Sequence, residues 1–395
     1  VSDHNAVPEG RDTVERLLAG DYLSRRTFMA GMGAAGAAAF LAACGSSSSG
    51  STGASASGGA TDAAYKPSAL TKGGELNIYT WPSYFSQTNL NNYKALTGTK
   101  INQATYESND AMFAKLAAEG SNSGFDMAIP TSGWVPVMAE KGLLQEIDHS
   151  RVPFTNIDPQ LLNKGFDPGN KYSVPKDYGY NVAIWDPAVV TKQIKTWTDF
   201  LDAVKGQASG KSAFAIGYGT LSIGLWSLGY SSNDTNRAHL QQACDVMKAA
   251  APHVKDFNTF DVSGMVSGAV SLMTCDQSVA RQVLLEKPHF KYAVPGPHSE
   301  LWVDNYTILK SASHADQAYS FLDFQLRPSS QVTDTQFIGY PTVLKGLEAK
   351  IPNSTKFKDE IFIPSKVYGS LETYIVRTDL EGYVEQLANE VQAAA

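Results

Sequence analysis

The sequence predicts an α/β protein with two α/β units, on three observations. Strand-like and helix-like segments alternate from Glu75 to Trp134, and they alternate again from Thr196 to Trp302. A chain of 395 residues is long enough for two domains with additions. Strands joined through helices imply a parallel sheet with right-handed crossovers, and in such sheets ligands sit at the carboxyl ends of the strands. Those ends carry Trp81, Tyr84, Thr131, Ser132 and Trp134, a set suited to a small-molecule site.

In the first unit, Glu75 to Tyr84 is a strand of alternating character that ends in aromatics. A helix follows to Thr97-Gly98, then a strand running into Thr105 to Asn109, a helix from Asp110 to Ala118, and Gly124 to Pro130. A short helix stops at Lys141-Gly142, and Phe154 to Gly169, rich in Asn, Asp and Pro, is surface loop. Tyr172 to Pro175 and Gly179 to Trp185 form two strands around Lys176-Asp177-Tyr178. In the second unit Thr196 opens a helix, Ser212 to Tyr218 is strand, and helices cover Thr220 to Leu228 and Asn236 to Ala251. Val266 to Met273, Tyr292 to Pro295 and Trp302 to Leu309 are strands. His314 to Leu326 is a helix that stops at Arg327-Pro328, and Leu371 to Val391 is helical.

Composition is that of a globular protein with a full core. A formal net charge of −7 leaves no footprint for nucleic acid. Ser24-Arg25-Arg26-Thr27-Phe28-Met29 before the small and apolar run Ala30 to Ala43 has the form of a twin-arginine export signal. The run is too short to span a bilayer as a permanent anchor, and Gly31, Gly33 and Gly36 argue against a core helix. Leu41-Ala42-Ala43-Cys44 resembles a bacterial lipobox, in which the thiol of Cys44 takes a diacylglycerol after cleavage. Several acyl chains would hold the product at the membrane. Gly45 to Gly59, nearly all Ser, Gly, Ala and Thr, is a flexible tether. Of the two remaining thiols, Cys244 lies in a helix and Cys275 at a strand end. Two buried free thiols are the preferred reading; a disulfide would need their Cα atoms within about 7 Å.

Catalytic signatures are missing. The chain has no His-Glu-x-x-His, no Gly-x-Ser-x-Gly and no Gly-x-Gly-x-x-Gly after a strand. Gly206 to Ser212 is one residue short of a phosphate loop and precedes a strand, so it is a solvated turn. The histidines show no metal-ligand spacing. No enzyme, cofactor or metal is expected.

Seven short motifs in one order carry a resemblance: Tyr79-Thr-Trp81, Thr105 to Asn109, Phe125-Asp126 before Pro130, Leu228-Gly-Tyr230, Trp302-x-Asp304, Leu326-Arg-Pro328 and Ile338-Gly-Tyr-Pro-Thr342. They resemble the spermidine/putrescine-binding proteins of ABC importers from about Glu75 to Gln386. That resemblance implies a bilobal periplasmic-binding-protein-like fold with a ligand cleft between two α/β lobes. The chain would cross between lobes near Tyr178 to Asn181 and near Trp302 to Asn305, and the lobes would close by hinge bending. With the signal and tether read above, the division is a signal peptide over 1–43, a linker over 44–72 and, as the resemblance implies, one lobe from 73–180 and 304–350 and a second from 181–303 and 351–395. Together with the export signal and the lipobox, the resemblance leads to the expectation of a lipid-anchored monomer on the outer face of the cytoplasmic membrane that delivers a small solute to ABC permease subunits. Carried over by position, Trp81, Tyr84, Trp302 and Tyr340 match aromatic ligand contacts, Thr131 a small hydroxyl, and Asp304 the carboxylate that pairs an amine. The physics fits, because a desolvated cation–π contact is worth on the order of 2 kcal/mol and a buried ammonium must be paired.

The departures concern charge. Ala215 to Trp226 has no carboxylate where the family places two, Ser83 stands at an often acidic position, Gly133 replaces an aromatic, and Cys275 or a neighbour replaces a tryptophan. One sure carboxylate cannot neutralise three ammonium groups unless Glu107, Asp177 or Asp276 contributes. A polyamine is the leading ligand on the resemblance, against these departures. A smaller diamine, a zwitterionic or monocationic amine, or a polyol is the alternative, and an exported enzyme is third.

Overall fold

The computed structural model describes residues 69–214, 218–257, 261–363, 365–377 and 379–395. Arg25, Arg26, Cys44 and most of the Ser/Gly/Ala linker lie outside the described residues. In chain order the elements are β1 (Glu75–Thr80), α1 (Gln87–Thr97), β2 (Lys100–Thr105), α2 (Asn109–Glu119), β3 (Met127–Ala128), α3 (Val135–Glu140) and β4 (Val174–Trp185). Then come α4 (Trp197–Lys205), β5 (Ser212–Ala213), α5 (Tyr218–Ser227), α6 (Arg237–Ala250), α7 (Val262–Ser267), β6 (Leu272–Asp276) and α8 (Gln277–Glu286). The last are β7 (Lys291–Ala293), β8 (Ser299–Ile308), α9 (Ala315–Gln325), α10 (Pro328–Ile338), α11 (Ser365–Tyr368), β9 (Leu371–Glu372) and α12 (Glu381–Gln392).

Local chemistry sets the helix ends. Ser86, Ser108 and Asn236 each cap a following helix through a side-chain oxygen, and Thr196 forms a full capping box with Asp199 on α4. The sheet runs β2-β1-β3-β8-β4-β6-β5, with β7 on β4 and β9 on β8. It is mixed, and this corrects the expectation of a parallel sheet. The pairs β1–β2, β1–β3 and β5–β6 are parallel, whereas β4 and β8 run antiparallel to each other and to β6 and β3. The two long central strands carry the chain across the molecule.

Two large hydrophobic cores among the described residues flank these strands. The first gathers Leu76, Ile78, Met127, Val303, Ile308 and Phe321; the second gathers Trp197, Phe200, Trp226, Cys244, Met247 and Leu387. Ile363, Tyr368, Leu371 and Ile375 pack on the first core, while Val384, Leu387 and Val391 of α12 belong to the second. Cys244 and Cys275 are free and buried.

Several local expectations change. The two strands around Lys176 are one strand, β4, interrupted by a bulge between Pro175 and Asp177. Pro328 does not merely end a helix: it opens α10 at its first turn, where a missing N–H costs nothing. Val262–Ser267 is helix where a strand was expected to begin, among the described residues of 212–218 the strand is Ser212–Ala213, and the described helix of the tail is Glu381–Gln392.

Asp126 is a fold determinant. Its buried carboxylate accepts the Asn77 N–H at 2.8 Å and the His314 N–H at 2.9 Å, with the His314 imidazole at 3.1 Å. It thereby ties β1 to the entry of α9. Asp126→Ala is expected to lower the unfolding free energy by about 3 kcal/mol, since hydrogen bonds to charged groups contribute roughly 1.5–3 kcal/mol. The check is the urea midpoint at unchanged slope.

Candidate functional site

The antiparallel ladder between β4 and β8 builds the site. In its register Asp177 stands opposite Asp304, and Gly179 stands opposite Trp302. Because side chains alternate along a strand, Asp177 and Gly179 share one face of β4, and Trp302 and Asp304 share that face on β8. Like charges directly opposite are destabilising, so the two carboxylates need donors.

The donors come from the first α/β unit. The Tyr84 hydroxyl bonds Asp177 Oδ1 at 2.7 Å and also bonds Asp304 Oδ2. The Thr131 hydroxyl donates to Asp304 Oδ1 at 2.6 Å, and Asn109 both donates to that hydroxyl and accepts the Thr131 N–H, each at 3.0 Å. Lys176 Nζ pairs with Asp177 Oδ2 at 2.6 Å and lies 3.7 Å from the centre of the Tyr84 ring. A continuous polar chain therefore runs Asn109, Thr131, Asp304, Tyr84, Asp177, Lys176. A phenol has a single proton and cannot donate fully to two carboxylates.

The rings form one wall. Trp302 meets Tyr340 edge-on with centroids 4.7 Å apart, and Tyr340 meets Tyr84 at 6.4 Å. The indole lies against Gly179; a Cβ there would come within 2.0 Å of Trp302 Cζ2 and 2.4 Å of Cε2. Tyr340 follows Gly339, whose φ of 86° closes α10 in the left-handed region that glycine tolerates. Asp276 caps α8 through Oδ1, and its Oδ2 faces the Tyr340 hydroxyl at 3.5 Å. Asn181, opposite Asp276 across the sheet, donates to Glu300 at 2.7 Å.

Five of the six residues named from sequence thus come together: Tyr84, Thr131 and Asp304 by direct hydrogen bonds, and Trp302 and Tyr340 by ring contact. Trp81 takes a different place. It stacks edge-on against Tyr106 at 4.5 Å, at the end of an aromatic row that continues through Tyr79 to Phe125. Of the three acidic candidates, Asp177 and Asp276 reach the site and Glu107 is exposed. Ser83 is exposed with a φ of 51°. Gly133 is crowded by the chain itself: a Cβ would meet the Tyr374 carbonyl at 2.8 Å, so the backbone of 374–376 occupies the room of the expected aromatic.

Lys176 and Glu300 were not singled out from sequence. The signal for Lys176 was the Lys-Asp pair inside an apolar strand, read as the gap between two strands.

Burial drives the Asp334 carboxyl upward from its ordinary pKa, against the pull of Lys176 and the Ser86 N–H bond. Asp334, Lys176, Asp177 and Tyr340 line a common cavity beside the ring wall. Among the described residues no group of three or more His, Cys, Asp or Glu is placed to hold a metal ion.

The profile of the bacterial extracellular solute-binding protein family matches residues 90–361. The chain is 32% identical over 276 residues to the spermidine/putrescine-binding periplasmic protein of Escherichia coli, covering 68% of this chain and 77% of that protein. It is 29% identical over 321 residues to spermidine/putrescine-binding periplasmic protein 1 of Haemophilus influenzae, covering 79% and 83%. Its structure superimposes with a TM-score of 0.73 on the spermidine/putrescine ABC transporter substrate-binding protein of Streptococcus pneumoniae, at 27% identity, covering 81% of this chain and 99% of that one. The fold is therefore the periplasmic-binding-protein-like one that the motifs implied. The chain belongs to the bacterial extracellular solute-binding protein family, in the group that contains the spermidine/putrescine-binding periplasmic proteins.

Proposed function

We propose that this chain is the extracytoplasmic binding component of an ABC importer and that its ligand is a spermidine- or putrescine-like amine. The observation that carries this reading is Asp304, buried beside the Trp302–Tyr340 ring pair and facing a second carboxylate across the ladder. A carboxylate against aromatic faces is the chemistry that pairs an ammonium and packs its methylenes. Relatives named for polyamines support it. In this reading Trp81, Tyr84, Thr131, Trp302, Asp304 and Tyr340 contact ligand, and no step of catalysis takes place.

The proposed lobes are 73–180 with 304–350 and 181–303 with 351–395, hinged where β4 and β8 cross. Export through Arg25-Arg26 and anchoring through Cys44 complete the proposal, with the protein acting as a monomer. A zwitterionic or neutral solute is the second reading, favoured by the absence of any carboxylate from Ala215 to Trp226.

A thermal-shift screen of the full chain with putrescine, spermidine, amino acids, sugars and polyols separates the two. Ligand at 100 times its Kd adds about 2.7 kcal/mol, which is visible. Stabilisation by amines alone is expected; stabilisation by an uncharged or zwitterionic solute with none by amines would move the assignment to the second reading.

A further inference from the structure

Two buried carboxylates and one buried ammonium share the cavity beside the ring wall. Asp177, Asp334 and Lys176 are all buried, and among the described residues Lys176 is the one basic group in the cavity lining. A bulge places it there. Pro175 pairs with Asn305 and Asp177 with Asp304, so Lys176 is the extra residue on β4. In a regular strand Lys176 and Asp177 would point to opposite faces. The bulge instead brings both to Tyr84, the lysine 3.7 Å from its ring centre and the aspartate 2.7 Å from its hydroxyl.

The ammonium is committed to Asp177, at 2.6 Å. Asp334 comes to the same cavity from α10 and is held by neutral groups. Its Oδ1 accepts the Ser86 N–H at 3.0 Å, with the Ser86 hydroxyl and the Asn89 amide beside it. From β8 it faces the buried phenol of Tyr306, and Tyr340 lines the cavity next to it. Lys176 reaches Asp334 as a charge at longer range. Burial outweighs that pull and the hydrogen bonds, and pushes the carboxyl above the ordinary aspartate range. A buried charge without its own counter-ion is costly, and uptake of a proton removes that cost. Asp177 and Tyr340 belong both to this cavity and to the proposed amine site, so a ligand ammonium there acts on Asp334 as well.

We propose that Asp334 is a proton-holding residue of the site, which carries a proton while the cleft is free of amine and releases it when a ligand ammonium takes a place beside Asp177 and Tyr340. The inference rests on the amine reading above. The O–H bond of the carboxyl breaks and its proton passes to the buffer. Two carboxylates then stand with two ammonium groups, that of Lys176 and that of the ligand. Linkage makes the effect reciprocal, so protons oppose the amine. Affinity is full above the range in which Asp334 titrates in the free chain, and it falls as pH drops through that range.

The test is calorimetric titration of the full chain with putrescine and with spermidine, in paired buffers of different ionisation heat. Steps between about pH 5 and 7 keep the ligand amines charged, since aliphatic ammonium groups titrate near about 10.4. The unaltered chain should release up to one proton per ligand toward the acid end, with Kd rising by up to about tenfold per pH unit. Asp334→Asn, whose amide oxygen still accepts the Ser86 N–H, should lose both the release and the rise. Lys176→Gln, which retains a donor for Asp177, serves if that variant fails to fold; without the ammonium's pull the release should move to higher pH. Binding without proton release at any step, or release that Asp334→Asn leaves unchanged, would overturn the inference while leaving the amine reading intact. Binding of neither amine would overturn both.

Discussion

Asp304→Asn is expected to weaken amine binding by between roughly 30-fold and several thousandfold. Truncating one partner of a buried charge pair costs about 2–5 kcal/mol, and every 1.4 kcal/mol is about tenfold. The geometry explains why the loss should be functional rather than structural. Asp304 faces Asp177 directly across the ladder, so removing its charge relieves a like-charge contact. The amide keeps an oxygen for the Thr131 hydroxyl, which lies 2.6 Å away. The unliganded variant should therefore melt within a few degrees of the unaltered chain while its Kd rises. A large loss of melting temperature with unchanged affinity would place Asp304 in the scaffold instead.

Gly179→Ala is the second large effect. The new methyl would fall 2.0 Å from Trp302 Cζ2, and Gln277 Oε1 is only 2.8 Å away, so the indole must leave the β4 backbone. Overpacking of this kind costs about 1–3 kcal/mol of stability. Binding should fall as well, by up to the roughly 30-fold that loss of a desolvated cation–π contact of about 2 kcal/mol represents. Trp302→Ala should match that binding loss, and the double variant should be no worse than Trp302→Ala alone, because both changes act through one ring. Urea unfolding and titration of the three variants check this; additive losses would show that Gly179 acts independently of Trp302.

Much of this arrangement was legible in the sequence. The spacing Trp302-x-Asp304 places two side chains on one face of a strand, and the alternation near Glu75 announced the strand that ends at Thr80, just before Trp81. The register of β4 against β8 was not legible, because pairing between residues more than a hundred positions apart leaves no local periodicity. That register decides that Asp177 faces Asp304 and that Gly179 receives the indole. The bulge at Lys176 was hidden for the same reason: a charged pair in an apolar strand looks like a turn until both charges are given partners. The contact of Trp81 with Tyr106 was equally hidden, since nothing in a strand-end aromatic announces which ring of its own unit it meets.

The most direct test of the account is titration of putrescine into the full chain by calorimetry, beside the same titration of Asp304→Asn. The account predicts saturable one-to-one binding that the substitution weakens at least 30-fold, the factor equivalent to about 2 kcal/mol. An absence of saturable heat with putrescine and spermidine, together with one-to-one binding of a sugar or polyol that Asp304→Asn leaves unchanged, would contradict it.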